Sequence, residues 1–172
     1  GTPVYYTRVI EWEGQRGRYR NLIYRVHFER ARSNKQSTDG GEGYNSGLMC
    51  VVTLDEQDRP VLVNTVHTCA CFHALYATPF TPAEAFPPDW TDEDQKVWGE
   101  TVPARLAYPE DFGENVRPVL FLRDGSHRVA DVQVADIESV RERYALTPAA
   151  MMPHDALFHL PLPDGRETSL FY

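Results

Sequence analysis

Lysine is almost missing from this chain. The 172 residues hold two lysines against fifteen arginines, and 17 cations face 25 acids for a net charge of −8. Affinity for a phosphate backbone comes mainly from clustered Lys and Arg, so a pI near 5.2 argues against nucleic acid as a partner. Long apolar runs are missing too. Nothing approaches the roughly 18 to 20 uninterrupted apolar residues a membrane span requires, so no span is expected within the chain. Cysteine is scarce: Cys50, Cys69 and Cys71 are too few, and odd in number, for a disulfide scaffold. The opening Gly1-Thr2-Pro3 lacks an initiator Met, which fits removal of an upstream signal or anchor and leaves the compartment open.

What is present is the composition of a folding chain. Hydrophobic residues make up 42% and aromatics 12%, far from the depleted composition that cannot collapse. The length suits one domain over 1–172 with a core of its own.

The charge is unevenly placed. Residues 79–115 carry nine acids against Lys96 and Arg105, a net of −7, so the rest of the chain sums to −1. The first 32 residues carry seven arginines and three glutamates, a net of +4. An arginine-rich start suits an anionic small ligand, because guanidinium groups grip carboxylate or phosphate bidentately. The simpler expectation is that the basic start and the acidic stretch face each other or solvate the surface.

Alternation at a period of two marks strands. In 4–13 it places Val4, Tyr6, Ile10 and Trp12 on one face, and in 18–30 it places Leu22, Tyr24, Val26 and Phe28 on one face, which predicts a hairpin around Gly14-Gln15-Arg16-Gly17. Residues 31–47 have no apolar periodicity and four glycines, a loop composition. Gly40-Gly41-x-Gly43 lacks the following helix that a phosphate cradle uses.

A second hairpin joins 48–54 to the long arm from 61. Its loop is expected to pair Asp55 with Arg59, with Asp58 at positive φ, which sets Cys50 near Asn64 and turns it away from His67 into the core. Residues 79–115, with six prolines, read as a surface excursion containing a helix start at 91–98, its acids placed where the helix dipole favours them. A third hairpin turns at Asp124-Gly125. A short helix follows over 135–144, and a last hairpin turns at Asp164-Gly165. The sum is a β-rich α+β chain of antiparallel hairpins forming a curved sheet, sandwich or partial barrel, with one or two short helices.

One constellation stands out: His67-x-Cys69-x-Cys71-x-His73. Imidazole and thiolate are the ligands zinc and other transition metals favour. On a strand all four side chains share a face. Four alternating residues span about 20 Å, however, so two or three of them at most belong to one centre unless the chain bends. His27, His127, His154, His159 and Cys50 are the residues available to complete it. Packing is the competing reading, since free cysteine behaves as a small hydrophobe. Thiol redox chemistry is the third, and an extended strand places Cys69 and Cys71 near the upper limit for a disulfide. Two functions therefore compete: transition-metal binding, zinc first, through 67–73, or a non-enzymatic binding domain whose partner is a protein or a small anion.

Overall fold

The computed structural model describes residues 3–31, 43–68, 70–161 and 164–166. The chain is β-rich α+β, built on one six-stranded open sheet and two small hairpin sheets. The large sheet contains β1 (Val4–Gly14), β2 (Gly17–Ala31), β3 (Gly43–Leu54), β4 (Pro60–His67), β5 (Ala74–Ala77) and, further along the chain, β10 (Ala150–Pro153), in the order β10-β1-β2-β3-β4-β5. All its pairings are antiparallel except β1 with β10, which makes the sheet mixed.

One face of this sheet carries the core. Leu22, Val26 and Phe28 on β2, Leu48, Cys50 and Val52 on β3, and Val63 on β4 pack there. So does Tyr76, fully buried on β5, whose hydroxyl bonds Thr65 at 3.2 Å. The predicted apolar face of β2 is this face. On β1 the apolar set lies on the other side: Val9 pairs with Leu22 and Trp12 with Tyr19, because the two-residue turn Gln15-Arg16 fixes the register. Ile10 and Trp12 are consequently 38% and 44% exposed.

The second layer comes from β6 (Gln95–Val97) with β7 (Glu100–Val102), and from β8 (Val116–Leu122) with β9 (Val129–Asp136). The stretch 79–115 is more than a surface excursion. Val102, Ala104, Leu106 and Tyr108 are buried in the core, and Ala104 O and Leu106 N bond the backbone of Ala77, extending the sheet past β5. Its acids are partly paired: Glu84 with Arg16, Asp92 with Arg105 and Glu100 with Arg123, each at 2.9 Å. The expected helix start at 91–98 is instead strand β6. Trp98 and Gly99, with φ of 48° and 86°, form the two-residue turn that joins it to β7, the geometry of a type I′ hairpin.

The helix α1 (Ile137–Arg143) is where the sequence places it, capped by the Asp136 carboxylate accepting from Glu138 N at 2.9 Å. Of the expected loop 31–47, Gly43 to Gly47 belong to β3 and the middle falls outside the described residues. The last predicted hairpin is corrected in its first arm, which is 3-10 helix through His159 instead of strand; its second arm falls largely outside the described residues.

The β3–β4 loop follows the sequence in its turn and departs from it in its register. Asp55 N bonds Arg59 O at 3.0 Å and Asp58 has φ 58°, both as expected. A bulge then skips one residue, pairing Leu54 with Pro60 but Thr53 with Leu62. Cys50 is thereby opposite Thr65, not Asn64, and shares a face with His67. It still packs against the core, because that whole face is the core face.

Candidate functional site

β4 alternates buried and half-buried side chains along its length, and His67 is the last of its inward residues, 5% exposed. There the strand stops. Ala70 N donates to His67 O at 2.8 Å and His67 N donates to Cys71 O at 3.1 Å, closing a tight turn. Thr68 fastens it to the neighbouring strand through its N–H to Gly47 O at 3.0 Å and its hydroxyl oxygen accepting from Gly47 N at 3.1 Å.

The expectation of one extended strand over 67–73 is therefore corrected. Ala70 and Phe72 both have φ of 60°, a left-handed conformation that reverses the chain and ends the alternation. The four residues consequently do not line one face. His67 points into the core and His73 is exposed. Cys71 is half-buried and disulfide-bonded, and Cys69 lies outside the described residues. Between the cysteines in sequence, Ala70 is exposed; after them, Phe72 is 3% exposed and anchors the turn in the core.

The His67 ring is held by the β8–β9 turn. Its Nε2 lies 3.0 Å from the carbonyl oxygen of His127, and since a carbonyl only accepts, Nε2 carries a proton there. His127, at φ 57°, stacks its ring on Phe28 with centroids 3.9 Å apart and planes 5° from parallel. Its Nδ1 is buried and has no hydrogen-bond partner among the described residues. Burial first, and the neighbouring His67 second, hold the His127 imidazole below its ordinary pKa.

Outside the turn, Ala70, Cys71, Phe72 and His73 face Lys96, Val97 and Trp98 across an open groove of about 660 Å³. Trp98 is 63% exposed. Arg128 braces this wall, donating to Trp98 O at 3.1 Å with its guanidinium 5.8 Å from the Phe72 ring centre. Sequence reasoning missed Lys96, Trp98 and Arg128. A legible signal existed in Trp98-Gly99 between two short polar-apolar runs, the pattern of a two-residue turn.

The remaining candidates are scattered. His27 lies on β2 on the face opposite Phe28, its ring edge-on to Tyr6 at 6.1 Å. His154 sits in the 3-10 segment His154–His159 that follows β10, where burial, then Arg25 and Arg8, lower its pKa. Cys50 is a free thiol pushed up to about 12 by burial, and so stays protonated. Among the described residues no three of His, Cys, Asp and Glu gather as a metal-holding group, and no helix is long and apolar enough to cross a membrane. No protein-family model, curated protein or solved structure matches the chain.

Proposed function

We propose that the turn over 67–73 is a thiol/disulfide centre, with Cys71 and Cys69 as its two sulfurs. The reading is carried by the disulfide at Cys71, seated in a turn of two left-handed non-glycine residues beside an open groove. Backbone conformations of that kind gather at functional sites, where surrounding structure over-determines them. Phe72 in the core and Thr68, bonded to Gly47 of β3, supply that over-determination here.

Exchange needs an incoming thiolate from a thiol reductant. It attacks one sulfur and expels the other as a thiolate, which takes up a proton; a second reductant thiol then displaces the mixed disulfide. The protein disulfide becomes two thiols and the reductant becomes a disulfide. Lys96 on the groove wall lowers the cost of the departing thiolate, since a nearby cation depresses thiol pKa. Cys50 takes no part, because its buried thiol stays protonated.

The test is the rate of exchange with a small thiol, followed as protein–reductant mixed disulfide by mass. Lys96→Glu is expected to slow it severalfold without changing the fold. Equal rates in the two proteins, or no exchange while the protein stays folded, would remove the proposal.

The hydrogen bond from His67 to the His127 carbonyl supports a second reading of the same segment. A metal-bound histidine usually donates its other N–H to a carbonyl, which fixes the tautomer. The reduced turn would then bind zinc through His67 Nδ1 and thiolate sulfur. Competition of the reduced protein against a chromophoric chelator tests it: one equivalent of zinc, weakened by His67→Ala, supports the reading, and no uptake ends it.

A further inference from the structure

The wall of the groove beside Cys71 is set by the alternation of β6. Gln95 points inward and bonds the backbone of Leu75 and Pro103, and Val97 packs on the core. Successive side chains of a strand take opposite faces, so Lys96 points outward, into the groove it lines. Trp98, in the turn that follows, lines the same groove. Its φ of 48° is one that a bulky residue rarely adopts, and a type I′ turn selects glycine or asparagine there. The position holds an exposed indole instead.

The charge of this groove is opposite in sign to that of the chain. The chain carries −8, yet the described lining, Ala70 to His73 and Lys96 to Trp98, holds one ammonium and no carboxylate. Lys96 has no ion-pair partner among the described residues. The acids beside it in sequence are placed elsewhere: Glu100 holds Arg123 through both carboxylate oxygens, and Glu93 and Asp94 line a separate depression with Pro87 and Trp90. An apolar wall with a few polar groups that fix orientation is the pattern of a small-ligand cleft, and the groove's volume of about 660 Å³ falls within the ~300–1,000 Å³ of such clefts.

We infer that the thiol exchanged at Cys71 is a small one bearing a carboxylate, with that carboxylate at Lys96 and its apolar body against Trp98; the inference rests on the thiol/disulfide reading above. The thiolate sulfur attacks one sulfur of the disulfide, the S–S bond breaks, and the other sulfur leaves with the electron pair and takes up a proton. The product is a mixed disulfide with the small thiol and one protein thiol. Stabilising the departing thiolate speeds every attacking thiol alike, whereas a carboxylate contact speeds only the thiols that carry one. For unit charges about 6 Å apart in water that contact is worth about threefold in rate, and salt screens it.

Exchange of the full chain with N-acetylcysteine and with its carboxamide, which differ in that one charge, tests the inference, followed as mixed disulfide by mass at low ionic strength. Each rate is divided by that of Lys96→Gln, so that the two thiols' own pKa and nucleophilicity cancel. The quotient is expected to be about threefold larger for the carboxylate, and the difference to vanish near about 1 M salt, where the screening length is about 3 Å. Trp98→Gly, which suits the turn, is expected to slow both thiols and leave their ratio in place. Equal quotients would overturn the inference and leave the redox reading standing, with Lys96 serving the departing thiolate alone. So would a preference that survives high salt, or unchanged rates in Trp98→Gly. No mixed disulfide with either thiol while the chain stays folded would remove the redox reading itself, and the inference with it. If Lys96→Gln fails to fold, the salt series on the parent chain decides.

Discussion

The imidazole Nε2 of His67 lies 3.0 Å from the carbonyl oxygen of His127, so the end of β4 and the turn between β8 and β9 share one partly buried polar contact. That contact ties the second layer to the large sheet at the base of the Cys71 turn. An acceptor left without its donor in such a place costs about 1–3 kcal/mol. His67→Leu is expected to lose about that much in urea denaturation, and His67→Gln, which keeps a donor, less. Equal losses in both would mean that the ring acts by packing alone.

The two left-handed residues of the turn give opposite expectations. Ala70 is exposed at φ 60°, and removing its Cβ relieves about 1–2 kcal/mol of backbone strain, so Ala70→Gly should stabilise. Phe72 has the same φ but is 3% exposed in the core, where losing a buried ring costs about 3–5 kcal/mol. Packing outweighs strain there, and Phe72→Gly should destabilise strongly. Thermal unfolding of the two variants checks the sign of each.

Gln95 holds β5 to the second layer through its side chain alone. Its amide nitrogen donates to Leu75 O and to Pro103 O at 3.0 Å, and its oxygen accepts from Leu75 N at 3.3 Å. Gln95→Leu orphans these groups and is expected to cost at least about 2 kcal/mol by denaturant unfolding, with Gln95→Glu close behind because it removes the donor.

Stability should fall on mild acidification. His127 and His154 both have pKa values held below the ordinary histidine value, chiefly by burial. As pH drops through that ordinary value the unfolded chain binds protons that the folded chain resists, so the folded state loses ground progressively. Above it both states are neutral and the contribution is constant. His154→Gln should flatten part of this slope in midpoint-against-pH measurements; an unchanged slope would show that the ring titrates alike in both states.

The hairpins were legible because alternation and turn residues are local properties. Leu22, Val26 and Phe28 identified the core face of β2, and Asp55 to Arg59 identified the loop and its left-handed Asp58. The bulge beside Thr53 was not legible, since it depends on how β4 settles against β3, and one skipped residue moved Cys50 onto the His67 face. The break after His67 was hidden for a related reason: nothing in the composition of Ala70 or Phe72 announces a positive φ, which glycine or asparagine would have signalled. The groove wall at Lys96 and Trp98 was obscured by Thr91-Asp92-Glu93-Asp94, whose acids resemble a helix start.

As proposed above, the Cys71 disulfide works as a redox centre and not as a structural clamp. Equilibrating the native protein in thiol/disulfide buffers of graded potential, then trapping free thiols by alkylation and counting them by mass, tests it directly. A working centre gives a reversible two-electron transition that frees two alkylated sites per chain while the fold is retained and Cys50 stays shielded. A disulfide that resists every buffer until the protein unfolds would contradict it.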